Sequence, residues 1–168
     1  MKKTALGVMR LQPLHNGHRL LIARMLARRE TAIAAIGSAG KIDERNIFSD
    51  DERREMIEAV FPAEIASGRL KILVIRDIGA KTKREWAEFV LAQIAARNLP
   101  APNIYFAGSA EDASWFEGVL PLEIVDRKTL GGKINATEIR AALADGRDLS
   151  TLAIPAEIQN IIKRRGRQ

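Results

Sequence analysis

The stretch of residues 4–18 passes from an apolar run into a polar turn: Thr4-Ala5-Leu6-Gly7-Val8-Met9-Arg10-Leu11-Gln12-Pro13-Leu14-His15-Asn16-Gly17-His18. The apolar run Thr4–Met9 predicts a buried strand, and the amphipathic residues after the turn predict a helix over Gly17–Arg28. The turn carries His15 and His18, the only two histidines of the chain. This stretch predicts the first strand–helix unit of an α/β fold, with polar groups where the strand ends.

The same alternation continues to the end of the chain. Further candidate strands are Thr31–Ile36, Leu70–Ile75, Asn103–Ala107 and Leu122–Val125. Further candidate helices are Asp50–Val60, Lys83–Arg97, Ala110–Glu117, Ala136–Ala144 and Pro155–Arg164. This order predicts an α/β fold, a single doubly wound parallel sheet with helices on both faces. The absence of an internal repeat or a linker predicts one domain over residues 1–168.

Polar residues mark the helix starts. Ser49 with Glu52 and Thr82 with Glu85 each predict a capping box. Asn16 is expected to cap the first helix and Asn135 the helix after residue 135, since asparagine is a favoured N-cap residue.

Composition limits the class of protein. With 168 residues, of which 46% are hydrophobic, the chain predicts a globular domain, and its lack of cysteine excludes disulfides and thiolate chemistry. No signal-peptide pattern or membrane-length apolar run is present, which predicts a cytoplasmic protein. The net charge of +6 favours anionic ligands. Part of that charge lies in a basic C-terminal tail, which is expected to be solvated from about residue 163.

The two histidines are candidate phosphate ligands. A positioned imidazole can donate a hydrogen bond to a phosphate oxygen, and Gly17 between the two rings lets a ligand approach closely. Metal ligation is one alternative, although two histidines alone leave a metal short of protein ligands, so no metal site is predicted. The other alternative is a pair of polar loop residues.

A second phosphate signature lies near the other end of the chain. Thr137 and Arg140 fall in the first turn of a predicted helix, where free backbone N–H groups favour phosphate. The planar guanidinium of Arg140 matches phosphate oxygens, and its alternative is a surface ion pair with Glu138 or Asp145. Both signatures follow strands, so they are expected to meet over one crevice.

Weaker candidates surround these two signatures. Small-residue loops containing Ser38 and Gly108-Ser109 permit close approach of a nucleotide, and Arg45 can reach a phosphate. Asp77 can accept from an amide or ribose hydroxyl, and Trp86 can stack on a flat ring or pack in the core. No Ser-His-Asp order, HExxH, Walker A or GxGxxG motif is present, so direct transfer between bound substrates is favoured over a covalent mechanism.

These residues resemble the nucleotidylyltransferase superfamily, and in particular the archaeal-type nicotinamide-nucleotide adenylyltransferases. The matching pieces are Arg10-x-Gln12-Pro13-x-His15-x-Gly17-His18, Gly37-Ser38-Ala39, Arg45-Asn46-x-Phe48-Ser49-x-x-Glu52-Arg53, Asp77-Ile78, Gly108 and Thr137-Glu138-Ile139-Arg140. Three features depart from the pattern, one of which is an Asp77–Trp86 segment longer than the family's usual spacing. Met9 stands where the family usually has glycine, and Asn135-Ala136 stands in place of Ser-Gly.

The resemblance implies a Rossmann-like fold and transfer of AMP from ATP to nicotinamide mononucleotide, with Mg²⁺ accompanying the ATP. It places the ATP phosphates among catalytic and binding residues that share positive charge or hydrogen-bond donors: His15, His18, Arg10, Arg140, Gln12, Gly17 and Arg45. It places the adenosine part of ATP against Gly108 and Ser109. It places the helix start formed by Asn135 and Thr137 near the phosphates. It places the acceptor at Ser38, Asn46, Asp77, Ile78 and Trp86.

Other functions are consistent with parts of the sequence. A related adenylyl- or cytidylyltransferase would act on another phosphorylated acceptor such as phosphopantetheine. A nucleotide-binding module without catalysis is suggested by Met9, and RNA binding by the basic balance. The aromatic content of 5% argues against RNA, because aromatic side chains usually stack on single-stranded bases. Members of the resembled family often form homo-oligomers, which is a weak expectation for this chain.

Overall fold

The computed structural model describes residues 3–126 and 134–165, in which five strands alternate with seven α-helices. The strands are β1 Thr4–Met9, β2 Thr31–Ile36, β3 Leu70–Val74, β4 Ile104–Ala107 and β5 Leu122–Ile124. The helices are α1 Asn16–Arg28, α2 Asp50–Val60, α3 Pro62–Ala66, α4 Lys83–Ala96, α5 Ala110–Ala113, α6 Ala136–Ala144 and α7 Gln159–Arg165. Short 3₁₀ turns cover Ser114–Phe116, Leu149–Thr151 and Ala156–Ile158.

The strands form one parallel sheet in the order β3-β2-β1-β4-β5. The chain winds outward from β1 to β3 and then crosses back to place β4 on the other side of β1. The strand order therefore reverses between β1 and β4, where open α/β sheets bind their ligands. The predicted doubly wound parallel sheet is confirmed.

Apolar side chains cover both faces of the sheet. One face packs against α1, α2, α6 and α7, through residues such as Ile22, Met56 and Ile139. The other face packs against α4 and the turn that follows α5, through Val90 and Phe116. Because parallel strands are buried on both faces, β2 reads as a continuous apolar run rather than an alternating one.

Glycine at position 7 lets α1 lie close to β1. A Cβ atom there would come within 2.9 Å of the Met25 sulfur. The helix whose N-terminus reaches the polar turn is thereby packed tightly against the central strand, which fixes where that N-terminus points.

Most predicted boundaries agree with the structure within a residue or two, but four local predictions were wrong. The helix predicted over Pro155–Arg164 begins as the 3₁₀ turn Ala156–Ile158, and its α-helical part starts at Gln159. His15, not Asn16, caps α1. The single helix predicted over Ala110–Glu117 ends at Ala113, because a tighter turn places Phe116 in the core with its ring stacked on Tyr105 at 4.0 Å. The Thr82 box is half formed, since the Glu85 carboxylate accepts from Lys81 instead.

Residues 163–165, expected to begin a solvated tail, lie in α7. Arg164 forms an ion pair with Glu55 of α2 at 2.6 Å, and the Arg165 guanidinium lies 5.0 Å from the ring centre of Phe48. The predicted turn at Gly131-Gly132 lies outside the described residues.

Across residues 3–126 and 134–165, no helix combines the length and apolar character needed to span a membrane.

Candidate active site

A cavity of about 890 Å³ opens at the carboxyl ends of β1 and β4, where the strand order reverses. We name it the histidine cavity after His15 and His18. Both predicted phosphate signatures contribute to its wall, as do the loop after β4 and the start of α6. Its lining residues are Arg10, Leu11, Gln12, His15, His18, Gly108, Ser109, Asp126, Ile134, Asn135, Ala136, Thr137 and Arg140.

The two imidazoles form a reciprocal cap at the start of α1. The Nδ1 atom of His15 accepts hydrogen bonds from the backbone N–H groups of Gly17 at 3.1 Å and His18 at 3.3 Å. The Nδ1 atom of His18 accepts from the backbone N–H of His15 at 3.3 Å, and the rings stack with their centres 3.7 Å apart. Because Nδ1 is an acceptor in both rings, each neutral imidazole carries its proton on Nε2. Each ring can therefore donate a hydrogen bond from Nε2 to an anion in the cavity.

Arg140 of α6 lies beside the polar turn in the wall of the same cavity. Its Nη1 donates to the backbone carbonyl of Gln12 at 2.9 Å, and its Nη2 donates to the Thr137 hydroxyl at 3.2 Å. The amide oxygen of Asn135 caps α6 by accepting from the Thr137 N–H, as predicted. These contacts fix Arg140 next to the polar turn and replace the alternative ion pair with Glu138 or Asp145.

Positive charges accumulate around Arg140. Partial burial lowers the pKa of its guanidinium, and the charges of Arg10 and Arg45 lower it further. After burial, the second cause of this lowered pKa is the repulsion of the Arg140 guanidinium by the like charges of Arg10 and Arg45. A bound polyanion would relieve that repulsion.

Three predicted ATP-site residues are hydrogen-bonded within the protein or lie outside the cavity wall. The Gln12 amide is buried and bridges to the loop before α2, donating to the Phe48 carbonyl at 2.8 Å and accepting from its N–H at 2.7 Å. Gly17 lies buried in the first turn of α1 and donates to His15. Arg45 is exposed outside the cavity wall, close enough to Arg140 for its charge to act there.

A second cavity of about 510 Å³ lies beside the first. We name it the tryptophan cavity because Trp86 and Trp115 belong to its wall. Its lining residues are Val8, Met9, Arg10, Gly37, Ser38, Lys41, Asp77, Ile78, Ala80, Trp86 and Trp115. Four of the five predicted acceptor residues are among them, and Arg10 lines both cavities.

An ion pair organises the polar side of the tryptophan cavity. The Asp77 carboxylate accepts from the Lys41 ammonium and from the Ser38 hydroxyl, the latter at 3.3 Å. Partial burial raises the pKa of Asp77, but the hydrogen bonds from Lys41 and Ser38 outweigh burial and hold the pKa below its ordinary value. The carboxylate is therefore ionised and neutralised by Lys41. Ser38 itself has a positive φ of 52°, a conformation that costs a non-glycine residue about 1–3 kcal/mol.

Asn46 is the predicted acceptor residue that the structure places elsewhere. Its amide nitrogen donates to both carboxylate oxygens of Asp43, at 2.9 and 3.0 Å, inside a tight turn. Sequence reasoning gave no role to Lys41, Asp126 or Ile134, which line the two cavities. A single lysine in a charged loop carries no local signal, because only the fold brings it to Asp77.

The reversing parallel sheet with paired imidazoles and guanidiniums at its switch point is the arrangement that the resemblance to nucleotidylyltransferases implies. Residues 10–97 match the cytidylyltransferase-like family model, which is more than half of the 168 residues. The chain therefore belongs to the cytidylyltransferase-like family, and the predicted superfamily is confirmed.

Three relatives make the resemblance more specific. The chain is 29% identical over 165 residues to the nicotinamide-nucleotide adenylyltransferase of Thermococcus kodakarensis, covering 97% of this chain and 84% of that protein. It is 30% identical over 160 residues to the enzyme of the same name from Thermococcus sibiricus, covering 94% and 82%. It is 28% identical over 155 residues to the nicotinamide/nicotinic acid mononucleotide adenylyltransferase of Acinetobacter baylyi, covering 89% and 80%.

Solved structures share the fold at lower sequence identity. A bifunctional NMN adenylyltransferase/ADP ribose pyrophosphatase from Francisella tularensis, crystallised with AMP and a manganese ion, matches with a TM-score of 0.77 and 21% identity. All of this chain is covered, but it spans only 50% of that bifunctional chain. A putative nicotinate-nucleotide adenylyltransferase from Vibrio parahaemolyticus matches with a TM-score of 0.62 and 18% identity, covering 96% of this chain and 99% of that one.

Proposed function

We propose that the protein transfers AMP from ATP to nicotinamide mononucleotide, giving NAD and pyrophosphate. The observation that carries this proposal is the meeting of His15, His18, Arg10 and Arg140 around one cavity that shares Arg10 with a second. Two nucleotides in adjoining cavities would have their phosphates side by side at Arg10. The names and coverage of the curated relatives support the same reaction.

In this proposal a phosphate oxygen of the acceptor attacks the α-phosphorus of ATP in line. The new P–O bond forms as the bond from the α-phosphorus to the bridging oxygen breaks, and pyrophosphate leaves with the electron pair. No covalent enzyme intermediate is needed. His15 and His18 donate from Nε2 to the polyphosphate, and Arg140 and Arg10 stabilise the charge that develops on it.

The starting charge distribution favours this use of the histidine cavity. Arg140 is repelled by Arg10 and Arg45 and is already held by the Gln12 carbonyl and the Thr137 hydroxyl, so it needs little reorganisation when charge moves during transfer. Gly108 and Ser109 at the end of β4 would contact the adenosine part, and Thr137 at the start of α6 would lie near the phosphates.

The tryptophan cavity is assigned to the acceptor. The side chain of Trp86 provides a flat apolar surface for a pyridine ring, and Asp77 provides an acceptor for an amide N–H. Ser38 and Ile78 complete the wall on the strand side, and Asn46 supports the neighbouring loop from its turn with Asp43.

We assign Mg²⁺ as the ion that accompanies ATP. Within the described part of the chain, no group of three or more His, Cys, Asp or Glu side chains could hold a metal. These residues therefore fit an ion carried by phosphate oxygens and water rather than by a protein cage. When bound, the ion would supply positive charge to the leaving pyrophosphate.

The direct test is incubation of the protein with ATP, Mg²⁺ and nicotinamide mononucleotide, followed by detection of NAD and pyrophosphate. Parallel reactions contain nicotinic acid mononucleotide, phosphopantetheine, or CTP in place of ATP. NAD formation above all other products supports the proposal. Pyrophosphate release only with another acceptor would reassign the substrate, and ATP binding without any product would indicate a non-catalytic module.

We also propose that residues 1–168 act as one nucleotidylyltransferase domain in the cytoplasm, as a homo-oligomer. Size-exclusion chromatography with light scattering tests the assembly, and a monomer at assay concentration would reject that part without affecting the reaction.

A further inference from the structure

A fully buried arginine contacts the backbone of residues that line the two cavities and has no part in the reaction described above. Arg53, near the start of α2, is 0% exposed. Burying a guanidinium is unfavourable unless its charge is paired and its N–H groups are hydrogen-bonded. The contacts that compensate for this burial therefore indicate what the residue holds in place.

The guanidinium of Arg53 ties the ends of two adjacent strands together. Its Nη1 donates to the backbone carbonyl of Arg10 at 2.8 Å, just after β1, and to that of Gly37 at 2.7 Å, just after β2. Its Nη2 donates to the carbonyl of Ser38 at 3.4 Å. These carbonyls lie where the parallel ladder ends, and a side chain supplies the donors that a further strand residue would have supplied.

Asp50 completes the network from the first turn of α2. One carboxylate oxygen accepts from Arg53 Nη2 at 2.7 Å and neutralises the buried charge. Both oxygens also accept from the backbone N–H of Gly40 at 3.1 Å. The loop that carries Ser38, with its unfavourable positive φ, is thus held on both sides by α2.

We propose that Arg53 is a positioning residue that sets the placement of Arg10 and Ser38, and through them the alignment of the two reacting phosphates. This inference rests on the proposed adenylyl transfer. Arg53 is absent from the walls of both cavities, whereas Arg10 lines both and Ser38 lines the tryptophan cavity. Arg53 therefore acts through the backbone to which it donates, and not through contact with substrate.

Alignment of reacting groups affects turnover more than binding, and a displacement of about 1 Å can cost about 10²-fold. Arg53→Met, which keeps the length of the side chain and removes its donors, is expected to lower kcat about 30- to 100-fold. The KM values for ATP and nicotinamide mononucleotide should change less than about threefold, because most groups lining each cavity remain. Arg53→Lys, which keeps the charge and part of the hydrogen bonding, should recover part of kcat.

Arg54→Met is the matched control, since it makes the same chemical change one residue along α2 without touching the strand ends. It should leave kcat and both KM values within about twofold of the unsubstituted protein. Thermal unfolding of every variant is recorded, so that loss of folded protein is separated from loss of turnover.

A double-mutant cycle with Arg10→Ala decides whether Arg53 acts through Arg10. If it does, adding Arg53→Met to Arg10→Ala should lower kcat by less than about threefold further. The same cycle with Ser38→Ala tests the second route, through the loop after β2. Costs that multiply fully in both cycles would overturn the inference, as would a KM effect with unchanged kcat. If Arg53→Met does not fold, the same cycle is run with Arg53→Lys. An unsubstituted protein that makes no NAD would reject the proposed function and this inference with it, whereas normal NAD synthesis with multiplying costs would reject the inference alone.

Discussion

The two adjoining cavities handle charge in opposite ways. In the histidine cavity, the Arg140 guanidinium is partly buried and lies near the charges of Arg10 and Arg45. Burial and these like charges lower its pKa. In the tryptophan cavity, the positive charge of Lys41 is neutralised by Asp77. A cavity with accumulated positive charge favours a polyanion, whereas a neutralised pair favours a dipolar group that both donates and accepts. The difference supports phosphate binding on one side of Arg10 and a carboxamide-bearing ring on the other.

The largest expected effect is on the histidine cavity. His18→Ala should lower kcat by about 10²- to 10³-fold, the range found when one transition-state donor is removed. Steady-state NAD synthesis measures this effect, with thermal unfolding recorded because His18 also takes part in the cap of α1. The control is Arg19→Ala. Arg19 lies next to His18 in α1 and is exposed, and its ion-pair partner is Glu157. A near-normal rate for His18→Ala would exclude His18 from the chemistry.

The next effect separates the two cavities by substrate. Arg140→Ala should raise the KM for ATP about 10- to 100-fold, because charge-assisted hydrogen bonds contribute about 1.5–3 kcal/mol. The KM for nicotinamide mononucleotide should change little, since Arg140 lines only the histidine cavity. Arg147→Ala, further along the chain from α6, is the control. A larger effect on the acceptor than on ATP would reverse the assignment of the cavities.

A smaller effect tests the neutralised pair. Asp77→Asn removes the negative charge beside Lys41, so an acceptor that carries a carboxylate should gain relative to one that carries a carboxamide. We expect the ratio of kcat/KM for nicotinic acid and nicotinamide mononucleotides to rise about tenfold, equivalent to about 1.4 kcal/mol. The KM for ATP should stay constant, and Asp51→Asn on the exposed face of α2 is the control. An unchanged ratio would mean that the pair does not contact the ring substituent.

The smallest expected effect is that of Arg140→Met on the free energy of unfolding measured without ATP. Arg140→Met loses two hydrogen bonds but also relieves repulsion from Arg10 and Arg45, so the free energy of unfolding should change by less than about 1 kcal/mol. ATP at about 100 times its Kd should stabilise the unsubstituted protein by about 2.7 kcal/mol. At that same concentration it should stabilise Arg140→Met much less. Equal stabilisation of both proteins in a thermal-shift titration would place the polyphosphate away from Arg140.

Local patterns predicted most of the fold. Buried parallel strands and amphipathic helices have different apolar periods, which is why β1, β2, α2 and α6 have the predicted boundaries. The segment after α5 was misassigned because Phe116 enters the core through a tighter turn, which is stabilised by its packing against Tyr105 and residues of α4. The end of the last helix was predicted within one residue, but its start was misassigned, because Ala156–Ile158 form a 3₁₀ turn and α7 begins at Gln159.

The candidate site was predicted in its chemistry more than in its geometry. The motifs named the imidazoles and guanidiniums that we propose as phosphate ligands, and the structure gathers four of them around one cavity. The mutual His15–His18 cap, the Lys41–Asp77 pair and the Arg53 network had no signal that could be read locally. Each depends on a rotamer or on contacts between distant segments, which the order of residues does not specify.

The sequence alone determined the α/β class, the polar turn after the first strand and the kinds of groups available to hold phosphate, because these follow from residue type and short-range spacing. Tertiary structure alone decided that Arg10 lies between two cavities, that Arg140 reaches the Gln12 carbonyl 128 positions away, and that Lys41 is neutralised. The physical reason is that charge interactions depend on distance and burial in space, and packing the helices on the sheet sets both.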